Sequence, residues 1–461
     1  MTVVIANVFV KDYLPYYKRN LKIAFPVMLT QLGASLVGLF DTIMVGHYAT
    51  ADLAAVSFSN AIFFTIMVFA MGMLMGLTPL VGYEVGKQEK GLRIEEIGKR
   101  NEEIGRLFYN GFVVAIGLSV VMCLILGSVY PFLDKFGQDP EVIEAARGYF
   151  LLMTISIVPF LFFCLQKQFL EGLGNTWVAM LITFAMNLLN IFLNWMLIFG
   201  HCGFAPMGAT GAGIATLISR TLMPLCFFAV IAGHRQWKAY LKGNRINKDV
   251  MARLIKIGTP IGMQTFLETF TFTLSFVLIG WISKEALGAH QIANQIADLT
   301  FMLAIGIGAA TTIRVSHQLG KGDIEAVRMA SNASIHLCLL MNTIGAGLMI
   351  GLRHVIPCLF TDDPEVIKIA STLILCAGLF QYADGMQCVG AAMLRGITDV
   401  KRPMIYAFVA YILIALPVGI ICMFPLKMGA QGMWIGFIFG LANAAVFFHV
   451  RFRRKLKSLS I

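Results

Sequence analysis

The sequence predicts an all-α membrane protein in which twelve transmembrane helices form two pseudo-symmetric six-helix lobes. Three observations lead to this prediction: the number of long apolar runs, the alternation of basic residues between loops, and an internal repeat. Of the 461 residues, 58% are hydrophobic and 13% are charged, about half the charged fraction of an ordinary soluble domain. This composition is typical of a chain that lies mostly in lipid.

Twelve predominantly apolar runs, each near the ~20 residues that cross a bilayer core as a helix, lie between residues 21 and 450. The N-terminus, the even-numbered loops and the C-terminus contain 29 of the 36 Lys and Arg residues, whereas the odd-numbered loops contain six. By the positive-inside rule, both termini are predicted to be cytoplasmic. We therefore expect a multi-pass protein of the cell inner membrane.

The second half of the chain repeats motifs of the first half in the same order. LKIAFPVML at 21–29 matches IKIGTPIGM at 255–263, and FGQDPEVI at 136–143 matches FTDDPEVI at 360–367. Because six spans is an even number, both halves have the same orientation, and the repeat is parallel. In each DPEV motif we expect the Asp to cap a helix that begins at the Pro.

The repeat predicts three regions. These are an N-lobe at 1–232, a basic cytoplasmic linker at 233–253, and a C-lobe with a basic tail at 254–461. Two matched lobes suit a transporter whose central site opens to each side in turn. Pro26 and Pro260 occupy matching positions in the first and seventh spans, where we expect them to kink the helices.

Four acidic residues lie well inside apolar spans, namely Asp41, Glu268, Asp298 and Asp384. A carboxylate at mid-bilayer costs about 2.5–3.5 kcal/mol, so it must face a cavity, pair with a cation or hold a proton. No Lys is predicted to lie deep inside a span, and Arg220 is the only basic residue that is. These acids are therefore candidate sites for a mobile cation or proton.

Polar residues accompany the acids in several spans. Asn187, Asn190 and Asn194 recur at spacings of three and four, which places them on or near one helix face. Such amides either coordinate a cation or hydrogen-bond between helices. The eighth span carries a polar stripe typical of a cavity wall. Six side chains are predicted to line a substrate cavity: Gln31, Asn187, His290, Gln291, Asn294 and Tyr382.

Several other functions find no support in the sequence. The basic residues cluster in loops without a nucleic-acid-binding motif, and the nine cysteines include no CxxC pair. Without a Walker A motif, transport would draw on an ion gradient rather than on ATP. The Gly-rich segments GATGAG at 208–213 and GMWIGFIFG at 432–440 indicate close helix packing. No HExxH or GxSxG motif indicates an enzyme.

Three segments carry a family resemblance: FPVMLTQLGASLVGLFDTIMVGHY at 25–48, LGAHQIANQIADLTF at 287–301, and DGMQCVGAAMLRGITDVKRP at 384–403. With the two-lobe organisation, they resemble the multidrug and toxic compound extrusion (MATE) transporters, especially the bacterial NorM-type branch. The resemblance implies a V-shaped pair of lobes and an antiporter that exports cationic amphiphilic compounds in exchange for Na⁺ or H⁺.

The resemblance also assigns ion-coupling residues. It implies an N-lobe site at Asp41, Asn190 and Asn194, and a C-lobe site at Glu268 and Asp384 that would hold Na⁺ if this is the coupling ion. Some relatives have a second acid where this chain has Asn194.

Asp298 is a tentative third acid of the C-lobe site. No other cofactor is implied, and a functional monomer in the lipid bilayer is expected. Alternatives are a lipid-linked oligosaccharide flippase of related fold, a channel or a membrane-embedded enzyme.

Overall fold

The computed structural model describes residues 2–89, 94–241 and 245–459, with side chains described from residue 12 onward except at 94 and 95. Parts of the predicted regions lie outside these residues: Met1 and 90–93 of the N-lobe, 242–244 of the linker and 460–461 of the basic tail. Within the described residues the protein is helical almost throughout and contains no strand. The predicted all-α class is therefore confirmed.

Eight α-helices precede the predicted linker. They are α1 (Thr2–Tyr48), α2 (Thr50–Leu74), α3 (Leu77–Gln88), α4 (Ile94–Val129), α5 (Pro140–Ile155), α6 (Ile157–Gly172), α7 (Thr176–Phe199) and α8 (Gly208–Gly233). Short 3-10 segments at Tyr130–Phe136 and Trp237–Leu241 follow α4 and α8.

Seven further α-helices complete the described chain, and the first of them begins inside the predicted linker. They are α9 (Lys248–Gly280), α10 (Lys284–Lys321), α11 (Ile324–Leu352), α12 (Pro364–Gly396), α13 (Lys401–Phe408), α14 (Leu416–Met423) and α15 (Ala430–Leu459). A 3-10 turn at Pro357–Leu359 precedes α12, and a π-helical segment at Val409–Ala415 joins α13 to α14.

By length and apolar composition, the described residues form eleven membrane-spanning helical segments, or twelve when α5 and α6 count as one bent span. This agrees with the twelve predicted spans. The fourth span bends by 43° between Ile155 and Ile157. Pro159 explains the break, because it has no N–H for the carbonyl of Ile155 and its ring clashes with that carbonyl.

Packing groups the chain into two compact units, residues 29–262 and residues 1–28 together with 263–461. Each change of unit falls inside a long helix, within three residues of Pro26 in α1 and of Pro260 in α9. The first residues of α9 thus belong to the unit of α2–α8, and the first residues of α1 to the unit of α10–α15.

The predicted linker packs within the unit of residues 29–262. Trp237 and Tyr240 are 7% and 8% exposed, and the Tyr240 ring meets Phe169 edge-on. Asn110 on α4 holds the following segment, since its amide donates to the Arg245 carbonyl (3.2 Å) and its Oδ1 accepts from the Asn247 N–H (2.8 Å). These contacts attach the linker to α4 and α6.

Glycines bring helices close together where the sequence predicts it. A Cβ on Gly436 of α15 would lie 2.6 Å from the Gly419 nitrogen of α14, and one on Gly211 of α8 would lie 2.7 Å from the Leu197 carbonyl of α7. Only a residue without a side chain fits at these contacts, so the prediction of close packing is confirmed.

The two DPEV motifs begin helices as predicted. The Asp139 carboxylate accepts from the Glu141 N–H (3.1 Å) at the start of α5. Asp363 accepts from the N–H groups of Glu365 (2.9 Å) and Val366 (3.4 Å) at the start of α12. Both prolines occupy the first helical turn, where the missing N–H removes no hydrogen bond.

Candidate functional site

The first candidate site lies in the unit of residues 29–262, where α1 meets α7. The side-chain amide nitrogen of Asn194 donates to the carboxylate of Asp41 (2.5 Å) and to the side-chain oxygen Oδ1 of Asn190 (3.3 Å). Asn194 is fully buried, Asn190 is 5% exposed, and Asp41 is half-buried. The structure thus brings together the three residues predicted for the N-lobe site.

The spacing of four residues along α7 explains this arrangement, because it stacks Asn190 and Asn194 on one helix face. The helix begins at Thr176, where the Asn175 side chain accepts from the Val178 N–H (3.1 Å). Asn187, one turn before Asn190, is half-buried, as is Gln31 on α1.

Arg220 of α8 lies in the same unit at the break between α5 and α6. Its guanidinium donates to the Ser156 hydroxyl (2.8 Å), and its central carbon lies 5.0 Å from the Phe63 ring centroid and 4.6 Å from that of Phe160. In the described part of the chain no carboxylate forms an ion pair with Arg220. Two aromatic faces and a hydroxyl therefore stabilise this cation, which also interacts electrostatically with Asp41.

The second candidate site lies in the other unit and combines acids from α9, α10 and α12. Asp384 is 5% exposed, and its carboxyl interacts electrostatically with those of Glu268 and Asp298. None of the three forms an ion pair with a described basic residue at salt-bridge distance. Three carboxyl groups of like charge therefore share one region, which raises the energy of the state in which all are ionised.

Gln387, Tyr411 and Arg395 complete the surroundings of Glu268, and sequence reasoning did not select them for this site. Gln387 and Tyr411 face the Glu268 carboxyl, and Arg395 interacts with it electrostatically. The Gln387 amide donates to the Tyr411 hydroxyl (2.6 Å), which leaves the Tyr411 proton for Glu268. The sequence did offer one signal for these surroundings, since Gln387 is a polar residue inside the tenth predicted span. Tyr411 lies in the π-helical segment, a distortion frequent at functional sites.

The polar side chains near Asp298 on α10 are exposed or half-buried. Asp298 is exposed and accepts a hydrogen bond from the Asn294 amide (3.0 Å), while Gln291 is exposed and Asn294 half-buried. Tyr382 of α12 is half-buried and donates to the Thr343 hydroxyl (3.2 Å).

His290 differs from its predicted place on a cavity wall, because it is fully buried in the core. The Trp434 indole N–H donates to its Nδ1 (3.2 Å). Its Nε2 therefore carries the proton and donates to the Ser275 hydroxyl (3.1 Å), which in turn donates to the Phe272 carbonyl (2.6 Å). These hydrogen bonds occupy both ring nitrogens of His290 and leave neither for a ligand.

Among the described residues, no three His, Cys, Asp or Glu side chains are placed to hold a metal ion. A cation at Glu268 and Asp384 would therefore need further oxygen ligands from amides, hydroxyls, carbonyls or water.

Both halves of the chain match a known protein family. The family model MatE matches residues 26–196 and 260–421, one match in each half of the chain. The chain belongs to the MatE family. The double match agrees with the internal repeat, and the predicted family resemblance is confirmed.

Other members of the MatE family align along nearly the whole chain. A probable multidrug resistance protein NorM from Xanthomonas axonopodis pv. citri is 32% identical over 95% of this chain and 94% of the relative. The multidrug resistance protein NorM of Photobacterium profundum is 31% identical over 95% of both chains.

Solved transporter structures share the fold at lower identity. A eukaryotic MATE transporter superposes with a TM-score of 0.82 at 20% identity, covering 97% of this chain and 98% of the other. A MOP superfamily transporter from Pyrococcus furiosus gives a TM-score of 0.84 at 19% identity, covering 97% of both chains. The chain is thus a many-span membrane protein of a transporter family.

Proposed function

We propose that this MatE protein is a cation-coupled antiporter that exports cationic amphiphilic compounds by alternating access. Relatives that align over nearly its whole length are named multidrug resistance proteins. One observation carries the finer proposal: four acids in apolar helices, Asp41, Glu268, Asp298 and Asp384, form no salt bridge with a described basic residue.

The energetic argument starts from these acids. An unneutralised carboxylate in the membrane is costly, and the cost rises where Glu268, Asp298 and Asp384 share one region. A bound cation or proton removes the charge. A coupling ion and a cationic substrate then compete for the same carboxylates, and this competition produces exchange.

The transport cycle follows from that competition. When the site is open inward, ionised carboxylates attract a cationic substrate, whose apolar body contacts Phe and Met side chains. When it opens outward, Na⁺ or H⁺ occupies the acids and displaces the substrate. Each ligand shifts the two states only by its differential affinity for them. Pro26 and Pro260, beside the residues where α1 and α9 change unit, are the proposed hinges.

The proposal includes the placement of the protein. We infer a functional monomer in the cell inner membrane. Both termini are inferred to be cytoplasmic, because the basic residues are distributed 29 to six between the two sets of loops. Residues 1–232 and 254–461 are the proposed lobes.

Exchange of an ion for a cationic dye in vesicles containing the purified protein tests this function. Asp41→Asn, Glu268→Gln and Asp384→Asn should each abolish exchange, because each removes a charge without changing shape. Glu325→Gln is the matched control, since Glu325 is an exposed acid paired with Arg328 (2.7 Å). Unchanged exchange in all three variants would refute the assignment. Na⁺ and pH gradients imposed separately identify the coupling ion.

A further inference from the structure

A recess opens where α11 ends and α12 begins, and none of its lining residues belongs to either candidate ion site. Its volume is about 490 Å³, within the range of small-ligand pockets. Its polar lining includes three basic side chains and two hydroxyl groups, from Arg353, His354, Lys368, Ser371 and Thr372. Ile367 and Leu375 form an apolar wall.

Two cations of the recess have no ion-pair partner among the described residues, although three exposed acids, Asp362, Asp363 and Glu365, flank Pro364 at its edge. Arg353 donates from Nε to His354 Nε2 (3.1 Å), and in the described chain neither Arg353 nor Lys368 has an ion-pair partner. Two other basic residues of the odd-numbered loops lie near acids, Arg147 at 2.6 Å from Asp134 and Lys284 at 3.7 Å from Glu285. The recess therefore combines two unpaired cations that an anion with several oxygens would neutralise.

These cations lie where basic residues are scarce. The odd-numbered loops contain only six Lys and Arg residues, and Arg353 and Lys368 are two of them. The positive-inside rule disfavours such residues on the side predicted to be extracytoplasmic. Their convergence on one recess is thus not a consequence of general charge bias.

The segment that joins the two helices of the recess carries exposed apolar side chains. Between α11 and α12, the side chains of Val355, Leu359 and Phe360 are 57%, 79% and 47% exposed. The recess adjoins the ends of two helices that are long and apolar enough to span a membrane, and lipid headgroups border the ends of such helices. A ligand with a phosphate group and an apolar chain would satisfy both the cations and this apolar rim.

We propose that this recess binds the phosphate headgroup of an anionic membrane lipid. Arg353 and Lys368 contact the phosphate oxygens, Ser371 and Thr372 contact the remaining polar headgroup, and the acyl chains lie along Leu359 and Phe360. The site is independent of the proposed exchange function. Only the choice of leaflet depends on the predicted orientation.

Native mass spectrometry of the purified full-length protein, titrated with phosphatidylglycerol and with phosphatidylcholine, tests the proposal. The wild type should retain phosphatidylglycerol preferentially, and the double variant R353Q/K368Q should bind it about tenfold more weakly. The control K135Q/K427Q removes the same charge from the same predicted side without touching the recess. Equal retention of both lipids, or equal weakening in both double variants, would overturn the proposal.

Two further variants separate a binding effect from a folding effect. R353K/K368R keeps both charges and should retain phosphatidylglycerol binding. Leu359→Glu places a carboxylate on a largely exposed side chain, so it should weaken lipid binding while leaving the core packed. Unchanged binding in Leu359→Glu would contradict the proposed path of the acyl chains. Inorganic phosphate serves as the last probe, and displacement of the lipid by an equal concentration of phosphate would assign the recess to small anions instead.

Discussion

The side-chain amide of Asn194 donates a hydrogen bond to the Asp41 carboxylate. Removal of this hydrogen bond should change the affinity of Asp41 for the coupling ion. The Asn194 N–H stabilises the ion-free carboxylate, and a hydrogen bond to a charged group contributes about 1.5–3 kcal/mol. If Asp41 binds the coupling ion, Asn194→Leu destabilises the ion-free form. We expect the half-saturating ion concentration for exchange in vesicles to fall by about tenfold.

The control for this prediction is an amide elsewhere in the chain. Asn443 is half-buried on α15 and donates to the carbonyl of Phe439 in the same helix (2.8 Å). Asn443→Leu should leave the ion dependence unchanged. An ion dependence of Asn194→Leu equal to that of the wild type would show that Asp41 does not bind the ion.

His290 is expected to act through stability rather than through substrate contact. His290→Leu leaves the buried Trp434 N–H without its acceptor, which costs about 1–3 kcal/mol. Thermal unfolding in detergent should show a lower midpoint, while the apparent affinity for a cationic dye stays unchanged. A weaker dye affinity with an unchanged midpoint would place His290 at the substrate site after all.

Among the elements, the α14–α15 contact depends on glycine. Gly436→Ala forces a methyl group against the α14 backbone at Gly419, and such overpacking costs about 1–3 kcal/mol. Gly347 on α11 is the matched control, because a Cβ there meets nothing within 4 Å. Gly347→Ala should stabilise the protein by about 0.5–1 kcal/mol. Thermal unfolding of the two variants should shift in opposite directions, and equal shifts would contradict the packing argument.

Helix boundaries were predictable wherever a local signal existed. The Asp caps of α5 and α12 follow from the DPEV motifs, and close packing at Gly211 and Gly436 follows from small residues at helical spacing. The π-helical segment at Val409–Ala415 was not predicted, although Pro417 follows it and removes the hydrogen bond to the carbonyl of residue 413.

For the molecule as a whole, predicted topology can be tested with its own cysteines. Cys202 and Cys358 are free and exposed, and both lie in odd-numbered loops predicted to be extracytoplasmic. A membrane-impermeant maleimide should label both in intact cells. A cysteine introduced by Lys238→Cys, in the predicted linker, should react only after permeabilisation. A variant with both native residues changed to Ser is the control, and the opposite labelling pattern would invert the topology.

Which side chains meet at each site was only partly predictable. The spacing of Asn190 and Asn194 predicts a shared face, but their contact with Asp41 joins residues far apart in the chain. Arg220 shows the limit most clearly, since its partners come from two segments far from it in the chain, Phe63 from one and Ser156 with Phe160 from the other. Hydropathy does not report such partners.

The sequence by itself determined the class of protein and the number of spans, because the bilayer imposes the length of each apolar run. It also determined the repeat, because the duplicated motifs are still recognisable in both halves. It also located the acids, since a charge within an apolar run is conspicuous. Only the tertiary structure decided which polar groups surround each acid, that His290 belongs to the core, and that α1 and α9 each change unit midway. Those outcomes depend on packing between distant segments, and a linear pattern of hydrophobic and polar residues does not contain that information.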